Sequence, residues 1–486
     1  METTPEQIEA HVSAAHEAYE AARDVPPAVR ARWLTAVADR LDAHAAELVA
    51  LAVEETHLTQ PRLTGELTRT TFQARLLAAE VVAGEHLDAT IDHADTSWGM
   101  GPRPDLRRVN VPLGVVAVFG ASNFPFAFSV FGGDTVSALA AGCSVVHKVH
   151  SAHPRLGART AELVVSALED AGAPAGLFSS VHGRPAGPAL IDHPLTRAGA
   201  FTGSEHAGRL LFDRANARPV PIPFYGELGS INPVFVTRAA WQARGDEIVR
   251  GYVASYTLGV GQFCTKPGVL VVPAPVDERL ATLEAAARDV APAAMLTPRL
   301  ASSFRIARDA LVQRGGVDLL IRGDASDTPA PTLMAISADR ARADRSVLAE
   351  EVFGPASLLV GYDDEAELPG LAALFEGQLT ATLHAEPADD VAALVRAIAD
   401  RAGRVLWNGW PTGVSVTYAQ QHGGPYPATT APSTTSVGTA AIRRFTRPVA
   451  YQAFPDHQLP PPLREANPWG VRRRVDGAWH EPDRAR

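Results

Sequence analysis

Apolar residues recur at helical spacing across Ala28–Leu51, where Trp33, Ala36, Val37, Leu41 and Leu48 fall on related faces. The pattern predicts helices over most of Pro5–Gly84. Inside that stretch, Thr59–Arg75 loses the apolar period. It carries Arg62, Glu66, Arg69 and Arg75 and reads as a polar insert. Trp98–Pro112, with Arg103, Arg107 and Arg108, reads as an extended hairpin projecting from the main body.

From Gly114 the pattern changes. Short apolar runs suited to buried strands (Val115–Phe119, Cys143–Val149) alternate with helical stretches (Phe126–Ala141, Pro154–Ala171). Leu177–Val181, Ala189–Ile191 and Ala198–Phe201 continue the alternation, and Gly203-Ser204 opens another helix. A second alternating region begins near Asn232. It has strands at Val234–Val236, Val269–Val272, Leu319–Gly323, Leu358–Tyr362 and Arg404–Asn408. Its helices are expected at Trp241–Leu258, Asp277–Val290, Leu300–Gly315 and Ala388–Asp400. Such alternation predicts parallel sheets covered by helices, so the fold class is α/β. Gly413–Ser436 is loop-like, and the Pro-rich tail keeps extended pieces at Pro448–Phe454 and Val471–Val475.

Composition narrows the function classes. The chain has 486 residues, 46% hydrophobic and 20% charged, enough for two to four domains at roughly 100–200 residues each. A net charge of −10 argues against a nucleic-acid binder. No apolar run is long enough for a membrane span. The polar Met1–Pro5 stretch does not read as a signal peptide, and with two cysteines a cytoplasmic setting is expected. Only two of the 44 basic residues are lysines, Lys148 and Lys266, and both fall inside the phrases that follow.

Five phrases are candidates for chemistry. Cys264 lies in Gly261-Gln262-Phe263-Cys264-Thr265-Lys266-Pro267-Gly268, a loop entering a strand, whereas Cys143 borders an apolar strand and reads as packing. Glu227, in Tyr225-Gly226-Glu227-Leu228-Gly229-Ser230, is a candidate general base. Asn123 follows the strand Val115–Phe119, at the end of a parallel strand where ligands bind. Lys148, with His150 and Ser151, ends the next strand and offers a point charge. The histidines there could be taken for a metal site, but the adjacent lysine disfavours one, and no metal is expected. Gly203-Ser204 presents a helix N-terminus to an anion such as pyrophosphate. No Gly-x-Gly-x-x-Gly fingerprint follows the first strand, which disfavours an ordinary Rossmann dehydrogenase.

In order, these phrases and Glu351-Val352-Phe353-Gly354-Pro355 resemble the aldehyde dehydrogenase superfamily over nearly the whole chain. The resemblance implies a Rossmann-like cofactor domain (1–97 and 113–228, with a returning segment at about 410–445). It also implies an α/β catalytic domain (229–409) and a β bridging or oligomerisation element (98–112 and 446–486). Cys264 then matches the nucleophile, Asn123 the oxyanion donor and Glu227 the general base. Lys148 matches a residue on the adenine-side ribose, and Gly203 and Ser204 match the helix start under the pyrophosphate. Glu351 matches the carboxylate on the nicotinamide ribose, and Phe353 the ring packing beside the nicotinamide.

A closer likeness exists. Arg62-Leu63-Thr64-Gly65-Glu66, Ser230-Ile231-Asn232-Pro233, His422-Gly423-Gly424-Pro425-Tyr426-Pro427 and Arg447-Pro448-Val449-Ala450-Tyr451-Gln452 resemble one branch of that superfamily. It comprises the α-ketoglutarate semialdehyde (2,5-dioxovalerate) dehydrogenases and their long-chain, NADP-linked relatives. The expected reaction is oxidation of α-ketoglutarate semialdehyde, with a fatty aldehyde as the alternative. A non-catalytic member of the fold is a remote third reading, because the nucleophile, base and oxyanion donor are all in place. Many NAD-specific members carry Glu three residues after the lysine, and here that position is Ser151. NADP is therefore the expected cofactor, with NAD possible and His150, Ser151 and Arg184 around the 2′-phosphate. Arg62, Arg69 and Arg75 are candidates to meet a substrate carboxylate. The resemblance also implies a homodimer or homotetramer.

Overall fold

The computed structural model describes residues 2–324 and 326–481. Thr4 caps the first helix, Pro5–Ala21, with Gln7 reciprocating in a capping box. Three further helices follow, Pro27–Ala43, Ala45–Thr56 and Gln60–Ala83. The expected polar insert is thus the N-cap and first two-thirds of a 24-residue helix. Its inward face mixes Leu63, Leu67 and Leu77 with buried Glu66, Thr70 and Gln73. Those inward polar groups hid the apolar period.

The first parallel sheet runs Phe178–Val181, Ser144–Lys148, Val115–Phe119, Thr196–Thr202, Phe224–Glu227. Chain order reverses on either side of Val115–Phe119, which is the topological switch point of a doubly wound sheet. Register aligns Phe119 with Lys148 and Phe201, and Thr202 with Glu227. Lys148, the Gly120–Asn123 turn, Gly203 and Glu227 therefore share the C-terminal edge. Two expected elements differ here. The helix after the first strand is confined to Gly133–Ala141, with turns over 126–132, and Ala189–Ile191 belongs to a short helix, Ala186–Asp192.

The second sheet has seven strands in the order Asp318–Ile321, Thr332–Ser337, Ala356–Tyr362, Val269–Pro273, Val234–Val236, Gln378–His384, Ala402–Trp407. All neighbours are parallel except the antiparallel edge strand Asp318–Ile321. Two interior strands, Thr332–Ser337 and Gln378–His384, were not expected from the sequence. Gln378–His384 alternates Gln, Thr and His with apolar residues, yet every position is buried. Thr380 donates to Asn232 Oδ1 at 3.1 Å, so its polarity is satisfied inside.

A third sheet joins Thr446–Gln452, Leu106–Pro112, Thr90–Asp92, Arg473–Val475 and Ala478–His480. Leu106–Pro112 is one arm of a hairpin with Thr90–Asp92, bridged at Asp95 and Arg103, and its other edge pairs antiparallel with the tail strand over its full length. Thr90–Asp92 also joins this sheet, although the expected boundary put it with the first. From Gly409 to Gly438 the chain has no helix or strand and returns to the first sheet. There Leu228 N–H donates to the Ala428 carbonyl at 2.9 Å, and Thr430 N–H to the Gly226 carbonyl at 3.0 Å. No helix among the described residues is long and apolar enough to cross a membrane.

Candidate active site

The Cys264 loop is fixed by its backbone. At Gly261 φ is +66°, and a Cβ there would stand 2.2 Å from the Gly354 carbonyl oxygen. Only glycine allows the loop to pass so close to the Glu351–Pro355 turn. Buried Asn232 holds the other side, its amide donating to the Cys264 and Lys266 carbonyls at 2.8 and 2.9 Å. Gln378 in turn accepts from the Ile231 and Asn232 N–H groups at 2.7 and 2.8 Å. The unexpected strand thus positions the cysteine loop. Lys266 is buried and donates to the Val352 and Ala356 carbonyls at 2.7 and 2.8 Å. It ties the loop to the neighbouring strand and does not reach the cleft.

Cys264 is partly exposed, and two groups converge on it. Its Sγ lies 3.8 Å from His422 Nε2, which lies 3.0 Å from Glu227 Oε2. The sulfur, an imidazole nitrogen and a carboxylate oxygen all fall within 4.8 Å of one another. Ser436 Oγ donates to Glu227 Oε2 at 3.0 Å, and Glu227 Oε1 has no partner among the described residues. His422 Nδ1 has none either, so its contacts assign the proton to Nε2. Burial pushes the Cys264 thiol well above its ordinary range, and the Glu227 and Glu351 charges add to this. Burial also pushes Glu227 up. His422, Ser436 and the Cys264 thiol outweigh it, and the carboxyl ends below its ordinary value. The resting pair is therefore a thiol beside a carboxylate.

Asn123 comes to the same corner. Its amide donates to the Gln262 carbonyl at 3.0 Å, leaving a second N–H. Its main-chain carbonyl accepts from Arg62 Nη2 at 2.6 Å. The Arg62 guanidinium lies against the contacting Phe124 and Phe263 rings, 5.1 and 4.8 Å from their centroids. Arg62 thus clamps the asparagine turn to the residue preceding the cysteine. Arg69 lies over Phe128 at 5.5 Å, and Phe128 packs on His422 at 5.9 Å. Arg75 is elsewhere, paired with Asp39 and Asp42 at 2.6 and 2.7 Å on the helix surface.

Along the same sheet edge, the Lys148 side chain has no hydrogen-bond or ion-pair partner among the described residues. Burial lowers its pKa, and the exposed Arg184 lowers it further. His150 is held at about 3 by burial, with His153, Lys148 and Arg299 contributing, so it is a neutral imidazole. Its Nδ1 accepts from Ala152 N–H at 3.1 Å. Ser151 is exposed. Ser204 caps the 13-residue helix Glu205–Ala217 directly after Gly203, with its other first-turn N–H groups facing the same end. On the opposite wall, burial raises Glu351 and Lys266 opposes this, while Phe353 is half-buried two residues on.

The sequence profile of the aldehyde dehydrogenase family matches residues 1–446. The chain belongs to that family. It is 46% identical over 478 residues to an α-ketoglutaric semialdehyde dehydrogenase 2 of Azospirillum brasilense, covering 97% of this chain and 91% of the relative. An α-ketoglutaric semialdehyde dehydrogenase of Acinetobacter baylyi is 41% identical over 492 residues, covering 98% and 92%. Among solved structures, the γ-glutamyl-γ-aminobutyraldehyde dehydrogenase of Burkholderia cenocepacia shares the fold. Its TM-score is 0.79 at 23% identity, covering 92% of this chain and 89% of its own.

This chain is accordingly an NAD(P)-dependent aldehyde dehydrogenase. Its groove suits such a cofactor. An unpaired lysine and a free helix N-terminus lie on one strand edge, and both match a phosphorylated ligand. At Gly229 a Cβ would stand 2.6 Å from Glu351 Oε2, so the wall beside that carboxylate must stay bare. The sequence reading assigned no role to His422 or Ser436. Each sits in a Gly- and Pro-rich loop with no periodic signal, and only the return of that loop to the first sheet reveals them. His422 in the phrase His422-Gly423-Gly424-Pro425 was the available clue.

Proposed function

We propose that this dehydrogenase oxidises α-ketoglutarate semialdehyde to α-ketoglutarate, with NADP preferred over NAD. The observation that carries the chemistry is the convergence of Glu227 and His422 on Cys264. The full-length relatives with that printed activity carry the substrate.

In the proposed mechanism Glu227 takes the thiol proton. That step removes the negative charge that opposes thiolate formation, and the His422 N–H is then free to donate to the sulfur. The thiolate attacks the aldehyde carbon and forms a thiohemiacetal. The free amide N–H of Asn123 faces the developing oxyanion. The Cys264 main-chain N–H does too, and it has no partner among the described residues. Such donors contribute a few kcal/mol each, about 2.7–4 in the best-studied case. The nicotinamide, when bound, takes up the two electrons that convert the adduct to a thioester. Glu227 releases its proton to solvent and then takes one from the water that attacks the thioester carbon; the C–S bond breaks, and Glu227 returns that proton to the sulfur. The acid leaves and the Cys264 thiol is restored. Asn232, Arg62 and Ser436 position these groups and do not react.

For the cofactor, Lys148 is assigned to the adenine-side ribose, with Gly203 and Ser204 at the pyrophosphate. Glu351 is assigned to the nicotinamide ribose, and Phe353 packs beside the ring. Lys148, Arg184 and Arg299 gather positive charge near the position where a 2′-phosphate would lie, and Ser151 offers no carboxylate against it. His150 contributes a neutral donor rather than a charge. A substrate panel of α-ketoglutarate semialdehyde and hexanal with both cofactors tests the reading. The expected result is higher kcat/KM for the keto acid and for NADP. Preference for hexanal contradicts the substrate, and equal or better use of NAD contradicts the cofactor.

A further inference from the structure

Two arginines from different parts of the chain close on one short segment, residues 411–414. Arg404, on the strand Ala402–Trp407, donates to the Pro411 and Gly413 carbonyls at 2.7 and 3.1 Å. Arg69, on the helix Gln60–Ala83, donates from Nε to the Val414 carbonyl at 3.2 Å. These bonds fix both guanidinium planes. Each still buries one nitrogen with no partner among the described residues, Nη2 of Arg69 and Nε of Arg404. Neither stands within ion-pair distance of a carboxylate among the described residues. Glu66, whose charge reaches Arg69, accepts instead from the Phe126 and Ala127 N–H groups at 2.8 and 3.0 Å.

Both guanidinium groups are half-buried, and a partly desolvated cation with no counter-ion is stabilised by an anionic ligand. These two charges also reach Cys264 electrostatically. The other arginines of the same helix are accounted for differently. Arg62 also keeps an unpartnered nitrogen, Nη1, but it lies against two aromatic rings and holds Asn123, and Arg75 is paired on the surface.

We propose that Arg69 and Arg404 together bind the carboxylate of the substrate and select a short aldehyde with an anionic far end over a neutral one. This assignment rests on the proposed substrate. The aldehyde end lies at Cys264 and the carboxylate meets the unpartnered guanidinium nitrogens. Their existing bonds to the 411–414 backbone set the angle in advance, so little side-chain entropy is lost on binding. Arg404 was not among the cations singled out from the sequence, because it lies on a strand far from the helix that carries Arg69.

The test is the ratio of kcat/KM for α-ketoglutarate semialdehyde to that for pentanal, which has the same number of carbons. Arg69→Met and Arg404→Met should each lower this ratio by about 30-fold, as expected for loss of one hydrogen bond to a charged group. Arg69→Lys should recover part of it, and Arg75→Gln should leave it unchanged. If activity on both aldehydes falls together and the ratio holds, the arginines only support the loop and the assignment is overturned. Should the methionine variants not fold, the wild-type enzyme still decides. The methyl ester of the semialdehyde keeps the chain and removes the charge, and equal kcat/KM for acid and ester overturns the proposal. A wild-type preference for pentanal overturns the substrate reading itself. A wild-type preference for the keto acid with unchanged ratios in both variants overturns only the arginine assignment.

Discussion

Around Cys143, burial pushes the thiol up to about 11, and its sulfur donates to the Phe445 carbonyl at 3.4 Å. Around Cys264, burial again pushes the thiol up, with Glu227 adding to the effect. A raised thiol pKa is therefore common to both. Cys143 is walled in by the first core, the charge that reaches it is the buried Arg30, and no carboxylate or imidazole among the described residues bonds to it. Cys264 has a carboxylate to take its proton, an imidazole N–H to meet the sulfur, and partial access to solvent. In the proposed mechanism, what separates Cys264 from the packed Cys143 is the acceptor and the path to it.

The largest expected effect breaks this contrast outright. Cys264→Ala should lower kcat on the order of 10⁴-fold or more, whereas Cys143→Ala should leave the cleft intact and keep kcat within a few-fold of wild type. Steady-state NADPH formation measures both, and comparable losses would erase the distinction. Next, Glu227→Gln should cost roughly 10²–10³-fold in kcat, since it removes the base for both proton transfers. The same substitution removes a negative charge that disfavours thiolate. The pH profile of Cys264 alkylation should therefore shift to lower pH, and a shift upward would contradict the electrostatic assignment. His422→Asn should cost about 10- to 100-fold in kcat, the range for losing a hydrogen bond to a charged group. Unchanged turnover would remove the imidazole from the account.

The smallest effect concerns Cys143 alone. Its pKa rises from the ordinary 9.0 to about 11 on folding. The unfolded chain thus loses this proton first as pH rises, and stability falls between about pH 9 and 11. The loss is roughly 2–3 kcal/mol. Denaturant titrations should show Cys143→Ala losing less stability than wild type across that window.

The sequence made the regular elements legible where one period dominated. Val115–Phe119 and Val234–Val236 are strands with the expected ends. It failed where polar groups face inward. Gln378–His384 looks half-exposed until Asn232 is seen to use its Gln and Thr, and Thr59–Arg75 looks like an insert until Glu66, Thr70 and Gln73 are seen to face inward and Arg62 and Arg69 to reach the active-site corner. Cys264, Glu227 and Asn123 were each readable from short phrases, and the fold brings them to one corner. His422 and Arg404 were not readable as part of it. Their partners lie far away in the chain, and no local pattern marks that kind of contact.

The most direct test of the central claim is residue-resolved alkylation. Wild-type enzyme is treated with iodoacetamide, with and without the aldehyde substrate, and peptides are mapped by mass spectrometry as activity decays. The account predicts that modification of Cys264 tracks the loss of activity, that substrate protects it, and that Cys143 stays unmodified. Inactivation that tracks Cys143, or full modification of Cys264 with activity retained, would contradict it.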